Sequence, residues 1–352
     1  MRTIAWNNFG PSVQMIDQRL LPEKLEILSL HTYPQIVAAI QTMAIRGAPA
    51  IGAAGAFGIA LAAANSKAGS ASKLLDELDS AADALCAARP TAVNLAWAVK
   101  RTLQAGRKAQ GNDVDAVRAA LLREALQLAE EDVAVNKRMG AFGAALLPDR
   151  CTVIHHCNTG ALATVDYGTA LGVIRAAHES GKKVHVLVDE TRPRLQGSRL
   201  TAWELQRLGI PYDIISDSAA GHFLSRGEVD AVLVGADRVA ANGDVANKIG
   251  TYMLALAADA SQIPFYCVVP TSTIDLQLST GAQIPIEERS PDEVLNLQRD
   301  GQQLAPSGST ARNPAFDITP AALISRFITE AGVLAPPFPA ALQRAHEKAN
   351  QS

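Results

Sequence analysis

The sequence has almost no net charge to draw it toward a polyanion. Lys and Arg number 32 against 35 Asp and Glu among 352 residues, a formal net charge of −3. Binding to nucleic acid or to anionic lipid depends on clustered positive charge. We therefore predict neither a nucleic-acid partner nor a membrane partner, and any anionic ligand must be bound by a few local groups.

Cysteine is also scarce, and the cysteines present are not spaced as disulfide or metal-binding pairs. Cys86, Cys151, Cys157 and Cys267 form no CxxC motif. The start MRTIAWNNFG lacks the basic-then-apolar pattern of a secretion signal. These features predict free thiols and a cytoplasmic location.

The familiar phosphate and zinc motifs are absent. The chain contains no GxGxxG, no GxxxxGKS or GxxxxGKT and no HExxH. A dinucleotide site, a Walker-type phosphate loop and a zinc peptidase site therefore have no motif to support them.

Long apolar runs are few as well. The longest, APAIGAAGAFGIALAAA at residues 48–64, is slightly short for a membrane span. Gly52, Gly55 and Gly58 recur every three residues, which leaves one side of a helix nearly smooth. We predict a buried helix of a globular protein, against which another helix or a ligand can pack closely.

The order of the patterns predicts two domains, because the length exceeds that of one typical core. Residues 34–139 have helical periodicity, with breaks at RGAP, at residues 67–72, at RPTAV and at GND, and short β-like runs precede them. From LLPDRCTVIHH onward, β-branched runs alternate with amphipathic helices. We predict an α/β protein: an α-rich domain (1–148) with short N-terminal strands, then a Rossmann-like domain (149–345) with a doubly wound parallel sheet.

A parallel sheet of this kind binds ligands at the carboxyl ends of its strands. The predicted strands are TVIHH, KVHVLVDE, PYDIIS, VDAVLVGAD and FYCVVPT. Polar residues follow each of them and are predicted to form one rim: Cys157, Asn158, Thr159, Asp189, Glu190, Thr191, Arg192, Asp217, Ser218, Asp237, Arg238, Thr271 and Ser272.

The stretch HHCNTGALAT places Cys157 directly after a strand. It is a buried filler, a reactive thiol at the start of the next turn, or a metal ligand beside His155 and His156. Consecutive ligands on a strand point to alternate faces, which disfavours the metal site. The first two alternatives stay open, and the histidines are predicted to have packing roles.

Asp237 ends the apolar run VLVGAD. It either caps the following turn or pairs with Arg238, or it acts as an acid. A carboxyl group at the mouth of an apolar strand is partly desolvated, which favours the protonated form that a general acid requires. We favour the acid.

Several stretches combine cations or amides with helix starts, where backbone N–H groups attract anions. RGAPA contains Arg46, Gly47 and Ala48, and Arg89 lies in RPTAV. AANGDVANKIGT carries Asn247 and Lys248 at the start of a predicted helix. These groups predict a phosphate-binding site, although a solvated helix face is the alternative.

Six motifs in one order make the sequence recognisable: RGAPAIG, RPTAVNLAWA, HHCNTGALAT, VDETRPRLQGSRLTAWEL, GADRVAANGDVANKIGTY and ARNPAFDITP. Together they resemble the family that contains the methylthioribose-1-phosphate isomerases and the regulatory α, β and δ subunits of translation initiation factor eIF2B. The resemblance extends from about residue 45 to residue 320.

The resemblance implies an aldose–ketose isomerase that acts on a sugar phosphate, works as a homodimer and needs neither metal nor redox cofactor. Matched position by position, it implies a catalytic role for Cys157 and for Asp237 as proton donor. It implies substrate contacts at Arg46, Gly47, Ala48, Arg89, Gln196, Asn247 and Lys248.

Two other functions remain open at this point. One is a sister isomerase acting on ribose 1,5-bisphosphate or 5-deoxyribose 1-phosphate, which would use the same catalytic pair. The other is a non-catalytic regulatory subunit of the same fold. The intact flanks of Cys157 and Asp237 favour an enzyme.

Overall fold

The computed structural model describes residues 2–90, 92–109, 111 and 113–351 and forms two compact units. The helical unit comprises Met1–Arg138 and Thr159–Gly172, and the sheet unit comprises Met139–Asn158 and Val173–Ser352. Thr91 of the predicted RPTAV break and Asn112 of the GND break lie outside the described residues.

The helical unit begins with a small antiparallel sheet and continues as helices, as the sequence predicts. Thr32 and Gln35 form a capping box at the start of α1, and the Ser70 hydroxyl accepts from the Lys73 N–H at the start of α3. Its elements are β1 Ile4–Asn7, β2 Ser12–Ile16, β3 Ile27–Leu30, α1 Tyr33–Gln41, α2 Ala48–Asn65, α3 Ala71–Ala87, α4 Val93–Lys108 and α5 Val114–Ala144.

Helix α2 is the core of the helical unit, which confirms the prediction of a buried helix. Among the described residues it is long and apolar enough to cross a membrane, yet 72% of it is buried. A Cβ atom on Gly55 would lie 2.6 Å from Leu95 of α4, and one on Gly58 would lie 2.9 Å from Leu85 of α3. The glycines therefore serve close helix packing.

Residues 159–172 leave the sheet unit and pack into the helical unit. Val165 is fully buried in the core of that unit, and its carbonyl accepts from the Thr3 N–H at 2.9 Å. The Gln18 amide donates to the Leu162 carbonyl at 2.7 Å. The predicted boundary at residue 148 therefore differs from the division in the structure, because this return of the chain has no signal in local periodicity.

Asp132 of α5 anchors the same segment and gives the helical unit a pH dependence. Its carboxylate accepts from the Val165 N–H at 2.8 Å and from the Asn136 amide at 3.1 Å. Burial raises the pKa of Asp132 from 3.8 to about 7, against the lowering effect of these hydrogen bonds.

We expect Asp132→Asn to stabilise the protein increasingly as pH rises. Between pH 4 and 7 the folded protein holds the Asp132 proton more tightly than the unfolded chain, so wild-type stability falls with rising pH. The variant does not lose stability in this way. Its free energy of unfolding relative to the wild type should therefore be roughly 1 to 3 kcal/mol higher at pH 8 than at pH 4. Urea unfolding at both pH values measures it, with the fully exposed Asp149→Asn as control; a gain that does not change with pH contradicts the account.

The sheet unit contains the predicted parallel sheet, flanked by helices. Its elements are β4 Arg150–His155, α6 Ala170–Glu179, β5 Lys183–Asp189, α7 Ala202–Leu208, β6 Tyr212–Ile215, α8 Ala220–Ser225, β7 Ala231–Val234, β8 Arg238–Ala240, β9 Val245–Lys248, α9 Thr251–Ala260, β10 Phe265–Val268, β11 Ile274–Asp275, α10 Asp292–Leu295, β12 Gln298–Arg299, β13 Gln302–Gln303, β14 Phe316–Thr319, β15 Arg326–Thr329, β16 Gly332–Leu334 and α11 Phe338–Gln351.

The main sheet has the order β16-β15-β10-β7-β4-β5-β6, parallel except for the β15–β16 pair. Counted from β4, its six parallel strands follow the order 3-2-1-4-5-6 from the β6 edge, which is that of a doubly wound dinucleotide-type sheet. This confirms the predicted fold class. All five predicted strands are present, and β15 is an additional one.

A smaller sheet, β11-β8-β9-β14, extends from the end of β7. Asp237 lies in the short connection between β7 and β8, and its N–H donates to the Ala246 carbonyl of β9 at 2.9 Å. The backbone on both sides of Asp237 is thus fixed by strands.

Candidate active site

The two strands at which the main sheet reverses its winding are β4 and β7, and they are direct neighbours. His155 of β4 pairs with Leu233 of β7. Cys157 follows β4 by two residues, and Asp237 follows β7 by three. In open α/β sheets the crevice at this reversal is the usual ligand site. Cys157 and Asp237 therefore flank the position where the fold favours ligand binding.

Cys157 is buried, at 5% exposure, and has a left-handed backbone with φ of 68°. This conformation is uncommon outside glycine and persists only where neighbours hold it. Its N–H donates to the Thr191 hydroxyl at 2.9 Å, and its carbonyl accepts from the Thr201 hydroxyl at 2.7 Å. Two threonine hydroxyls thus fix both peptide groups of Cys157.

A buried carboxylate supports this arrangement from behind. The Asn158 amide donates to Glu204 at 2.8 Å and to the Thr201 hydroxyl at 3.2 Å. Glu204 belongs to α7 and is only 6% exposed. The residue after Cys157 is therefore as firmly held as Cys157 itself.

The loop ETRPRLQG, residues 190–197, turns sharply at the end of β5. The N–H groups of Thr191 and Arg192 donate to the two carboxylate oxygens of Asp217, each at 2.7 Å. Thr191 and Leu195 both have positive φ, at 63° and 58°. For a β-branched residue such as Thr191 this is a strained backbone, and strain of this kind is concentrated at functional sites.

Gln196 and Gly197 complete this loop. A Cβ atom on Gly197 would lie 1.7 Å from the carbonyl oxygen of Asp189, so only glycine fits there. Gln196 is 7% exposed, and its side-chain oxygen has no hydrogen-bond partner among the described residues. Buried polar atoms are nearly always paired, so an unpaired one beside a rim indicates a position for a ligand or water.

His155 and His156 are both buried and belong to the framework, which agrees with the predicted packing roles. The imidazole of His155 contacts the Leu233 carbonyl at 2.9 Å, and burial lowers the pKa of His155 to about 4. His156 contacts Asp189 through Nδ1 at 2.8 Å and the Ile249 carbonyl through Nε2 at 2.9 Å. Burial is the largest influence and opposes its charged form. The hydrogen bond and negative charge of Asp189, the charge of Asp217 and the Ile249 carbonyl together outweigh burial and raise the pKa of His156.

His156, Asp189 and Asp217 lie close enough together to resemble a metal site. Both imidazole nitrogens of His156 already face protein acceptors, and both oxygens of Asp217 accept backbone N–H groups. Asp189 Oδ1 is the one oxygen of this cluster without a hydrogen-bond partner among the described residues. A single such atom does not make a metal site, so we propose no metal there.

The structure places Asn247 and Lys248 in strand β9, and the predicted helix start is wrong by a few residues, since α9 begins at Thr251. Their side chains point to different surroundings, as alternation along a strand requires. The Asn247 amide donates to the Thr251 hydroxyl at 3.0 Å, and the Lys248 amine donates to the Ala315 carbonyl at 2.8 Å.

The remaining predicted contacts belong to the helical unit. Gly47 has φ of 95° immediately before α2, and a Cβ atom there would lie 2.4 Å from the carbonyl oxygen of Ala163. Gly47 thus permits RGAPA to pack against GALAT. Ala48 is the first residue of α2, and Arg46 precedes it by two residues. Arg89 follows the end of α3 by two residues.

Sequence reasoning missed the residues that hold the rim in place. Thr201, Glu204 and Gly197 lie within the motif VDETRPRLQGSRLTAWEL, but their partners are between 8 and 46 positions away in the chain. Local patterns carry no information on such pairs, and only the motif as a whole marked the region.

Comparisons with known proteins agree on one family. The model of the initiation factor 2 subunit family matches residues 44–336. A curated protein of Synechococcus sp. named methylthioribose-1-phosphate isomerase is 52% identical over 345 residues, with 97% of each chain covered.

Two solved structures are similar over the whole chain. The 5-methylthioribose 1-phosphate isomerase of Pyrococcus horikoshii has a TM-score of 0.91 at 45% identity, covering 99% of this chain and 96% of that one. An A. fulgidus protein described as subunit delta of translation initiation factor eIF-2B has a TM-score of 0.87 at 45% identity, with 99% of each chain covered. The chain therefore belongs to the initiation factor 2 subunit family.

Proposed function

We propose that this protein is an aldose–ketose isomerase that converts 5-methylthioribose 1-phosphate to 5-methylthioribulose 1-phosphate, a step of methionine salvage, as a cytoplasmic homodimer. The observation that carries the proposal is the position of Cys157 and Asp237 after the two adjacent strands at the reversal of the sheet. The names of relatives about half identical over nearly the whole chain support the same reaction.

The substrate chemistry explains why an acid is needed. Phosphate is esterified to the anomeric oxygen, so the sugar ring does not open as an ordinary hemiacetal does. The bond between C1 and the ring oxygen must break while that oxygen receives a proton. We assign this proton to Asp237, whose side chain is half-buried beside the reversal of the sheet.

The hydrogen on C2 must then move to C1, and the substrate must lose one proton to balance the one received. In a hydride shift, the C2 hydrogen moves with its electron pair and the C2 hydroxyl loses the proton. In the enol-phosphate route, a base removes the C2 proton, and the C2 hydroxyl loses its proton when C1 is protonated afterwards. Cys157 is the proposed base for either route, held in one geometry by Thr191 and Thr201.

Substrate binding is proposed for the predicted contacts of both units. In the sheet unit, Gln196 offers its unpaired amide oxygen to a sugar hydroxyl. Lys248 supplies a cation for the phosphate, and Asn247 keeps the substrate contact that the resemblance implies. In the helical unit, Arg46, Gly47, Ala48 and Arg89 keep the roles that the resemblance implies.

A comparison of three sugars tests the proposed substrate. We expect turnover of 5-methylthioribose 1-phosphate to exceed that of 5-deoxyribose 1-phosphate and ribose 1,5-bisphosphate by about tenfold or more, since a lost apolar contact or a buried extra charge weakens transition-state binding. The measurement is kcat/KM for each, with ketose detected as product. Equal values for all three defeat the narrow assignment and leave a sister isomerase.

A non-catalytic regulatory subunit is the second candidate, favoured by the similarity to the A. fulgidus protein described as an eIF-2B subunit. It predicts that the folded protein binds a sugar phosphate or nucleotide and converts none of the three sugars. Turnover of any one of them eliminates it.

A further inference from the structure

His156 lies next to Cys157 and connects it to a second part of the rim. The imidazole is 1% exposed and spans from Asp189, at the end of β5, to Ile249, directly after Lys248. It therefore contacts the end of β5, the strand beside the one that bears Cys157, and the segment that bears Asn247 and Lys248.

The direction of these hydrogen bonds is fixed by chemistry. The Ile249 carbonyl can only accept, so Nε2 of His156 must carry a hydrogen. A proton also lies between Nδ1 and the Asp189 carboxylate, whichever group owns it. The ring thus bridges two acceptors through two hydrogens, a role that requires both imidazole nitrogens.

Each side of the ring leads to a different part of the site. Toward Asp189, the chain of contacts continues from the Asp189 carbonyl to the Thr191 hydroxyl at 3.0 Å, and from there to the N–H of Cys157 at 2.9 Å. Toward Ile249, the ring packs against Gly250, where a Cβ atom would lie 3.0 Å from Cε1. The Gly250 N–H is in turn bound by Asp317 at 2.7 Å.

We propose that His156 is a positioning residue. Through Nδ1 it holds Cys157 in place, and through Nε2 it holds the end of the strand that bears Asn247 and Lys248. This inference rests on the proposed function. It predicts that loss of the Nδ1 contact impairs the chemical step, whereas loss of the Nε2 contact impairs phosphate binding. A ring with only a packing role would show no such division.

Two amide variants separate the two contacts. The Asn amide overlies Nδ1, so His156→Asn keeps a donor for Asp189 and loses Ile249. The Gln amide overlies Nε2, so His156→Gln keeps Ile249 and leaves the buried Asp189 carboxylate without its partner. His185→Gln is the matched control, because His185 lies in β5 and its imidazole contacts the exposed carboxylate of Asp213 at 2.9 Å.

We expect His156→Asn to raise KM about tenfold while kcat changes less than about threefold. We expect His156→Gln to lower kcat about tenfold or more with little change in KM. Both sizes follow because leaving a buried group without its hydrogen bond costs about 1 to 3 kcal/mol. His185→Gln should retain both constants within about threefold, because a partly exposed ion pair contributes little. The same change of KM and kcat in both histidine variants, or none in either, overturns the proposal.

Two further measurements keep the test decisive. If the histidine variants do not fold, Gly250→Ala strains the Ile249 side with His156 intact, and an unchanged KM overturns the proposal. If the wild-type protein converts no sugar, the proposed function has failed, and alkylation of Cys157 by iodoacetamide becomes the readout. An alkylation rate that changes in His156→Gln but not in His156→Asn supports the positioning role. The same alkylation rate in both variants overturns it.

Discussion

Cys157→Ser and Asp237→Asn should each lose about 10²- to 10⁴-fold in kcat while the folded protein still binds the sugar phosphate. Serine keeps the size of the side chain but is a far weaker acid than a thiol, so it is a poor source of the base. Asparagine keeps the shape of Asp237 and has no acidic proton to give to the ring oxygen. Steady-state turnover, with binding followed separately by calorimetry, measures both effects.

A matched control separates chemistry from packing. Cys151 is also buried and lies in β4 itself, six residues before Cys157. Cys151→Ser repeats the same substitution in the same strand and should leave kcat within about threefold, because a modest loss of stability does not alter the rim. Near wild-type kcat in both Cys157→Ser and Asp237→Asn would remove these residues from the mechanism.

Gly197→Ala should abolish activity and destabilise the sheet unit by about 3 kcal/mol or more. The added methyl group would lie 1.7 Å from the Asp189 carbonyl oxygen, and a backbone atom cannot move aside as a side chain does. To relieve the clash, the loop must leave the end of β5. That movement would displace Gln196 and the Thr191 hydroxyl that holds Cys157.

Gly221→Ala is the control for this substitution. Gly221 lies in α8, has an ordinary φ, and the nearest atom to its added Cβ would be that of Ala257 at 3.7 Å. Alanine should therefore be neutral or stabilise by up to about 1 kcal/mol. Both variants are compared by thermal unfolding and by kcat/KM. A Gly197→Ala protein with wild-type stability and wild-type kcat/KM would contradict the close approach of residue 197 to the Asp189 carbonyl.

The strands and the rim could be predicted because their signals are local. Apolar β-branched runs such as VHVLV and AVLV define buried parallel strands, and the polar residues after them must lie at one edge. The same periodicity gave the helix breaks of the N-terminal half. Gly181, Gly209 and Gly227 each follow the end of a helix and have positive φ, which is typical of glycine at that position.

What could not be predicted depends on contacts between distant parts of the chain. The strands β4 and β7 are about 80 residues apart in the chain, so local patterns alone could not show that Cys157 and Asp237 follow neighbouring strands. The bridge from His156 to Ile249 spans 93 positions. The return of residues 159–172 to the helical unit likewise follows from tertiary packing, and the simple boundary at 148 could not include it.

The most direct measurement of the central claim follows one carbon atom of the substrate. 5-Methylthioribose 1-phosphate labelled with ¹³C at C2 is incubated with the purified protein and observed by NMR. The account predicts that the signal of a hydroxyl-bearing carbon is replaced by that of a ketone carbonyl, and that Cys157→Ser and Asp237→Asn suppress the change. An unaltered C2 signal in the presence of folded wild-type protein that binds the sugar would contradict it.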